Sequence, residues 1–262
     1  MIRRLCASAF FCILLSGTAC TFPYSARAEA ALPTRTPMAV ATVTVVPTRP
    51  PVSTPTPFPT PEASPTLVPS PTLPTATVFV EPVGCERPPD DYTRLVVNGG
   101  KLNYRTFWML KHAKALYKGT IDFTGWAITQ GSYNPGGVAA SFGTHDGGGA
   151  VDLSVINPRN GVVLRNEIPD AIRSLRISGF AAWLRDKDEL YKGSPIHIHA
   201  IAIGDAQLSQ AAREQLTGKF AYFLGYNGLP QKEGDPPVPD RHGGPVLCQW
   251  MLDMGYRDMR QP

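Results

Sequence analysis

Proline is unevenly distributed along this 262-residue chain, and its concentration limits how much of the chain can fold. Most of the stretch at residues 32–82 is Pro, Thr, Ser, Val and Ala, with few charges and almost no aromatic residues. Proline fixes φ and removes a backbone donor, so this stretch cannot build a sheet or a hydrophobic core. We expect an extended spacer at residues 29–82 and a single folded domain at residues 83–262.

The first 28 residues have the composition of an export signal. Arg3 and Arg4 precede an apolar run at residues 5–15, which is shorter than the roughly 20 residues that a membrane-spanning helix needs. The pattern Ala-Arg-Ala at residues 26–28 indicates cleavage after it, and therefore secretion. Two alternatives stay open. The signal could end at Cys20, which would then carry a lipid that tethers the protein to a membrane, or it could remain as an uncleaved anchor.

Cysteine usage agrees with export to an oxidising compartment. Beyond residue 28 only Cys85 and Cys248 remain, so one intramolecular disulfide is possible. That bond would join the beginning of the folded domain to its end, which suits a domain whose termini lie close together. Two separate buried thiols are the alternative interpretation.

The charge pattern gives no support for nucleic-acid binding. The formal net charge is +4, and acidic and basic residues are interspersed through the folded part without a basic run. The sequence also lacks a His-Glu-x-x-His helix, a Gly-x-Ser-x-Gly elbow and a phosphate-binding Gly-x-x-x-x-Gly-Lys loop. We therefore expect neither nucleotide-driven chemistry nor serine hydrolysis. We also expect a monomer, with membrane contact only through a lipid at Cys20.

The folded part has the mixture of helical and strand patterns typical of an α and β domain. Apolar residues at helical spacing predict three helices, at residues 106–117, 168–177 and 208–224. The last of these should break near Gly218. Apolar runs and alternation predict four strands, at residues 123–128, 150–155, 180–184 and 196–203. The last strand is apolar on both faces, which is typical of a central strand in a sheet. We expect a loop at residues 134–137 and a return of residues 246–254 onto the domain.

Two short segments hold the residues best suited to chemistry. Residues 141–152 read Ser-Phe-Gly-Thr-His-Asp-Gly-Gly-Gly-Ala-Val-Asp, and residues 197–199 read His-Ile-His. Successive side chains of a strand alternate between its faces, so the two histidines of the second segment project to the same side. Asp152 lies between apolar neighbours, where a carboxylate is expensive unless it is paired or bound to a metal. Placing the two strands side by side would bring it near His199.

His145 precedes a run of three glycines, which allows a tight reversal that would bring its imidazole over the end of the strand. Two imidazoles and one carboxylate, with an open fourth position, are the ligand set of catalytic zinc. A His-x-His pair or a glycine triplet is often only structural, but three of the five histidines of the chain fall in these two segments. We therefore interpret His145, Asp152 and His199 as metal ligands, with zinc as the default ion.

The pattern Ser-x-x-x-His-x-x-Gly-x-Ala-x-Asp at residues 141–152, followed by His-x-His at residues 197–199, resembles the LAS family of zinc peptidases. This family includes D-alanyl-D-alanine carboxypeptidases and dipeptidases and penicillin-insensitive murein endopeptidases, and the hedgehog signalling domain shares its fold. The resemblance implies an α+β fold with a small antiparallel sheet, and zinc held by His145, Asp152 and His199. It also implies hydrolysis of amide bonds in peptidoglycan stem peptides.

The chain departs from the family pattern in two ways. Many members carry a Glu general base shortly before the last zinc histidine, and here that role would fall to His197. Some members carry an Arg upstream of the first ligand, where it binds the terminal carboxylate of the substrate. Here Gln130 occupies that neighbourhood, and Ser141 is a second candidate for positioning the substrate. The missing Arg leaves both a carboxypeptidase and an endopeptidase open.

Two other functions stay open from the sequence. One is a binding module on the same fold that keeps zinc but has lost turnover, and the other is a zinc amidase or peptidase with a different substrate. An open groove with His197 facing the metal would be expected of an enzyme, whereas a site covered by the segment after Gln231 would be expected of a structural metal. The remaining histidines are interpreted as a packing or surface residue, His112, and a loop residue flanked by glycines, His242.

Overall fold

The computed structural model describes residues 79–137 and 139–260. Within these ranges the strands are β1 (Arg94–Val97), β2 (Gly100–Asn103), β3 (Ile128–Gln130), β4 (Ala150–Ser154), β5 (Phe180–Arg185) and β6 (His197–Ala202). The helices are α1 (Tyr104–Leu116), α2 (Ile168–Ile177), α3 (Gln210–Thr217) and α4 (Gln249–Asp253). The expected signal, the possible lipid site at Cys20 and nearly all of the expected spacer lie outside the described residues. None of the four helices has both the length and the apolar character that a bilayer span requires.

The main sheet has four antiparallel strands in the order β3-β4-β6-β5. The predicted central position of the strand with two apolar faces is confirmed, because β6 lies between β4 and β5. A mixed α and β fold with a small antiparallel sheet is therefore found. The register pairs Asp152 with His199 and Ser154 with His197 across β4 and β6. The same register pairs Arg185 of β5 with His197.

The two faces of this sheet cover two hydrophobic cores. Val151 and Leu153 of β4 face the core that includes Leu110 of α1 and Leu175 of α2. The opposite face of the sheet contributes to a second core, whose larger members are Trp183, Ile201, Leu208, Leu216, Tyr222, Phe223, Trp250 and Met251. Because side chains alternate along a strand, Asp152 and the two histidines of β6 project on this second face. The candidate site therefore lies beside an apolar core rather than on a loop in solvent.

A hairpin formed by β1 and β2 was not among the predicted elements. Its turn is Asn98-Gly99, with φ of 48° and 80°, a pair of left-handed conformations that favours these two residue types. The Asn98 amide donates to the carbonyl of Ile128 at 2.9 Å, which ties the hairpin to the first strand of the main sheet. At the end of β2, the side chain of Asn103 accepts from the Thr106 backbone at 2.8 Å and begins α1.

The predicted strand at residues 123–128 is wrong, since the strand begins only at Ile128. The Asp122 carboxylate accepts from the backbone N–H of Thr124 at 3.1 Å and from its hydroxyl at 2.9 Å. The Asp122 carbonyl accepts from Gly125 and Ala127, each at 3.2 Å. These local bonds hold the segment in turns, a known preference of Asp and Thr that competes with strand pairing.

The helix predicted at residues 208–224 with a break near Gly218 is observed only up to that break. Helix α3 ends at Thr217, and a separate 3-10 turn follows at Tyr222–Leu224. The predicted break near Gly218 is confirmed, since its backbone N–H donates to the Glu214 carbonyl and ends the helix. An added Cβ at Gly218 would lie 2.6 Å from that same carbonyl oxygen, which leaves no room for a side chain. The helix predicted at residues 168–177 has the observed bounds, and the remaining predicted helices and strands differ from theirs by one or two residues.

A disulfide joins Cys85 to Cys248, with their Cα atoms 5.6 Å apart. This is the pairing that the cysteine count predicts, and it agrees with an oxidising compartment. Helix α4 follows directly after Cys248, and its Trp250 and Met251 are buried in the second core. The C-terminal segment thus packs back onto the sheet as expected.

Candidate metal centre

The register of β4 and β6 places Asp152 and His199 directly opposite each other. The Nδ1 atom of His199 lies 2.7 Å from Asp152 Oδ1. His197 lies two residues earlier on β6 and on the same face, with its Nε2 atom 3.8 Å from the same oxygen. The adjacency expected from strand alternation is thus present, and all three side chains are largely buried.

The third candidate ligand reaches the site from a short 3-10 helix, Thr144–Asp146. The His145 Nε2 atom lies 3.3 Å from Asp152 Oδ1. The glycines that follow make the reversal possible: Gly149 has φ of 80°, and Gly147 packs against the chain near residue 207. A Cβ at Gly147 would lie 2.4 Å from the Gln207 carbonyl oxygen, so the loop can dock there only with glycine.

Backbone carbonyls fix the orientation of two imidazoles. The Nδ1–H group of His145 donates to the Gly131 carbonyl at 2.8 Å, and that of His197 donates to the Pro195 carbonyl at 2.8 Å. Each bond leaves Nε2 as the unprotonated ring nitrogen in the neutral side chain. The Nε2 atoms of His145 and His199 are buried without a hydrogen-bond partner. Orientation of a ligand histidine by a carbonyl at its other nitrogen is a common property of metal sites.

The spacing of the donor atoms fits a zinc ion. Zinc–nitrogen and zinc–oxygen bonds of about 2.0–2.1 Å in a tetrahedron place neighbouring ligand atoms about 3.3 Å apart. The His145 Nε2 to Asp152 Oδ1 distance is 3.3 Å, and the Asp152 Oδ1 to His199 Nδ1 distance is 2.7 Å. One donor atom from each residue lies within 4.8 Å of the other two. The donor set, the 3.3 Å separation of His145 Nε2 from Asp152 Oδ1 and the orphaned Nε2 of His145 therefore suit this metal.

The charges of the three side chains are coupled. Burial favours a neutral carboxyl, but His145 and His199 more than offset it and hold the pKa of Asp152 well below its usual value. Burial also works against a charged His145, but Asp152 outweighs it and raises the pKa of that imidazole. At His199 burial wins, and it lowers the pKa to about 4. Asp152 is thus ionised and His199 neutral at pH 7, as ligation of a metal requires.

The site opens into a cleft of about 190 Å³. Gln130, Ser141, Tyr191 and His197 line it, with Asp152 at its base. The Gln130 amide donates to the Ser141 hydroxyl at 3.2 Å, so the two predicted substrate-binding residues lie side by side. Of the described residues after Gln231, none lines this cleft. The site is therefore not covered by the C-terminal segment.

Sequence reasoning missed Arg185, which lies opposite His197 and lines a small cavity beside the cleft together with the three candidate ligands. The predicted strand ended one residue too early, although Ala181, Trp183 and Arg185 alternate in the period of a strand. That alternation would have placed Arg185 on the same face as Trp183, and hence on the face of the site.

The two remaining histidines lie away from the cleft. His112 is largely buried against Trp108, with ring centroids 5.3 Å apart, and its Nε2 lies 2.7 Å from the Gly84 carbonyl. It is a packing residue, as expected. His242 does not line the cleft, and its backbone carbonyl accepts from Arg176 at 2.6 Å. The positions of His112 and His242 agree with their interpretation as a packing residue and a loop residue.

Comparisons with known proteins give no match: no protein-family model fits the chain, and no curated protein or solved structure is similar to it. The likeness to the LAS peptidases is therefore carried by the residues of the two motif segments alone.

Proposed function

We propose that this chain is an exported zinc metallopeptidase that hydrolyses amide bonds in peptidoglycan stem peptides. The observation that carries the proposal is the meeting of His145, Asp152 and His199 from two strands and a glycine-built loop, with Asp152 lining an open cleft. Three protein ligands with an open side are typical of catalytic rather than structural zinc. We also propose that the chain has the fold shared by LAS peptidases and the hedgehog domain.

A zinc ion at these ligands would lower the pKa of a bound water to about 7 and polarise the scissile carbonyl. The protein supplies the rest of the chemistry. His197 is held by the Pro195 carbonyl with Nε2 toward Asp152, at 3.8 Å, on the side of the cleft. This imidazole accepts a proton as the water oxygen adds to the carbonyl carbon. It then delivers the proton to the leaving nitrogen as the carbon–nitrogen bond breaks.

The cleft suits a peptide backbone. Gln130 offers an amide that can donate to a carbonyl, and the Ser141 hydroxyl beside it can donate or accept. Tyr191, 48% exposed at the rim, adds a large apolar surface for a substrate side chain. The cleft has both polar and apolar lining residues and is open to solvent, which suits an extended segment of a polymer more than an enclosed small molecule.

The test is hydrolysis by the purified full-length chain. The chain would be incubated with purified peptidoglycan and synthetic stem peptides, and the products followed by mass spectrometry. Cleavage should vanish with a chelator, return with added zinc, and be lost in His145→Ala. In His197→Ala the metal should remain while turnover falls by about 100-fold or more, the usual contribution of a general base. The product masses would identify the scissile bond and separate carboxypeptidase from endopeptidase.

His242→Ala is the matched control, because it removes an imidazole outside the cleft. It should retain wild-type metal content and turnover. A chain that holds zinc but releases no fragment from peptidoglycan or stem peptides would contradict the peptidase. That result would favour a zinc-containing binding module. Binding of the same protein preparation to purified peptidoglycan in a pull-down would then test for such a module.

A further inference from the structure

Arg185 is the last residue of β5 and lies opposite His197 in the sheet. Its guanidinium carbon lies 5.3 Å from the ring centroid of Trp183, two residues earlier on the same face. A small cavity below the main cleft is lined by Arg185 together with His145, Asp152, His197 and His199. The cation therefore shares its pocket with the whole candidate metal centre.

The hydrogen bonds of this guanidinium are incomplete. Its Nη1 atom donates to the Asn227 carbonyl at 2.8 Å, whereas its Nη2 atom is buried without any partner. Only 1% of the residue is exposed, so water does not satisfy the second donor from the surface. A buried charged donor without an acceptor is strongly unfavourable. The arrangement leaves one buried donor available to a ligand atom.

The other buried arginines each have a carboxylate partner. Arg105 pairs with Asp90 at 2.7 Å, and Arg176 pairs with Asp240. Among the described residues Arg185 is the buried arginine without a carboxylate partner. Burial lowers its pKa to about 10, against the opposing effect of neighbouring carboxylates, so it remains charged at pH 7. A fixed cation therefore faces the pocket with one donor free.

The charge balance of a zinc-loaded pocket would favour a ligand atom with negative charge. The positive charges of a zinc ion and of Arg185 exceed the single negative charge of Asp152 in a site of low dielectric. The cavity that joins them has a volume of about 20 Å³. That is room for about one oxygen-sized atom. Because the candidate metal ligands line the same cavity, a zinc ion would occupy part of it, and a whole substrate carboxylate does not fit beside the ion.

We propose that Arg185 is a catalytic residue whose Nη2 donates to the oxygen of the scissile carbonyl as that oxygen gains negative charge. The inference rests on the proposed peptidase function and adds the source of its transition-state stabilisation. As water adds to the carbonyl carbon, the π electrons move onto the oxygen, and the guanidinium stabilises them. They return when the amine leaves. Gln130 stands where some LAS peptidases have an arginine, and Arg185 supplies a positive charge from a different strand.

The test uses the zinc-loaded full-length chain with Arg185→Gln, Arg185→Lys and the control Arg241→Gln. Arg241 is half-exposed, pairs with Asp186 at 2.6 Å and lines neither the cleft nor the small cavity. kcat and KM would be measured on a stem peptide with a free and with an amidated C-terminus. Affinity would be measured for a phosphinate isostere of the bond that the wild-type chain cleaves. Zinc content and the urea unfolding midpoint would be recorded for every variant.

In Arg185→Gln we expect kcat to fall by about 100-fold or more on both peptides, the usual effect of removing one oxyanion donor. KM should change little, phosphinate affinity should fall by a similar factor, and zinc content should equal that of the wild type. Arg185→Lys should have a higher kcat than Arg185→Gln because it keeps the positive charge. If Arg185→Gln does not fold, Arg185→Lys is compared with the wild type instead. Arg241→Gln should behave as the wild type.

Two outcomes would overturn the inference while the peptidase stands. One is an unchanged kcat in both Arg185 variants. The other is a loss confined to KM on the peptide with a free C-terminus, which would make Arg185 an anchor for a substrate carboxylate. A wild-type chain that binds no zinc or cleaves no stem peptide would remove the proposed function itself, and this inference with it. That failure is recognised from the wild type alone.

Discussion

The indole of Trp183 stacks on the imidazole of His199, with ring centroids 6.1 Å apart and an angle of 13° between the planes. The two residues are cross-strand partners on β5 and β6, so the sheet register fixes the stack. Trp183 is itself held by the second core, and its Nε1 donates to the Tyr226 carbonyl at 3.0 Å. A core residue thus limits the rotation of a candidate metal ligand.

Trp183→Ala should therefore affect both stability and metal binding. Deletion of a buried Trp side chain lowers the free energy of unfolding by about 3–5 kcal/mol. We expect a loss of that size in urea unfolding of the zinc-free chain, with weaker zinc affinity in a chelator competition. Trp250→Ala is the matched control, because Trp250 lies in the same core and does not stack on a histidine. Equal zinc affinity in the two variants would contradict a role for the stack.

Gly147→Ala should displace His145. The added methyl group would lie 2.4 Å from both the Gln207 carbonyl oxygen and the Ser209 backbone nitrogen, so the loop must move away from the chain that it docks against. We expect zinc affinity to fall by about tenfold or more, as it does when a hydrogen-bond partner that orients a metal ligand is removed. Gly161→Ala, where a Cβ meets nothing within 4 Å, is the control and should bind zinc as the wild type does.

The disulfide should contribute strongly to stability, because it closes a loop with a sequence separation of 163 residues. Replacing both Cys85 and Cys248 by Ser should lower the free energy of unfolding by about 2–5 kcal/mol. A reductant should lower the urea midpoint of the wild type and leave that of the double variant unchanged. A wild type that is insensitive to full reduction, checked by thiol titration, would contradict the bond or its role.

Glu167 should make stability depend on pH in the acid range. Burial works against its charge, but donors from Tyr117 and Thr120, including the Thr120 backbone N–H at 2.6 Å, hold its pKa below the usual value of 4.5. A carboxyl whose pKa is lower in the folded state contributes stability above its unfolded pKa. That contribution is lost as pH falls through the folded pKa.

Glu167→Gln should therefore be less stable than the wild type at pH 7, by about 1 kcal/mol because the group is partly exposed. The difference should shrink when urea unfolding is repeated below pH 4.5, the usual pKa of this group. Zinc-free protein avoids any effect of the metal ligands in this measurement. A difference of the same size at both pH values would contradict the account.

The strand pattern made the core of the site predictable from sequence. Alternation alone placed His197 and His199 on one face, and the burial cost of Asp152 pointed to a partner, which the register of β4 and β6 supplies. The disulfide was predictable because only two cysteines follow residue 28. These features depend on the local periodicity of side chains and on the number of cysteines, and both can be read from a single sequence.

Other features depend on contacts that the sequence does not contain. The turns after Asp122 replaced an expected strand because a carboxylate captures nearby backbone donors, although Phe123 is buried as the apolar pattern indicates. Arg185 fell one residue beyond the predicted strand, and its bond to the Asn227 carbonyl and its unpartnered Nη2 appear only in three dimensions. The hairpin at Asn98-Gly99 is an exception. The Asn-Gly dipeptide is a hairpin-turn signal, so the sequence alone could have predicted this turn.

The measurement that tests the central claim most directly is the metal content of the purified full-length chain, determined by elemental mass spectrometry. The account predicts about one zinc ion per chain in the wild type and in His242→Ala, with most of it lost in His145→Ala, Asp152→Ala and His199→Ala. His197→Ala should keep its zinc. A wild-type chain that takes up no zinc from a zinc-containing buffer, or triad variants that retain it, would contradict the metal centre and everything built on it.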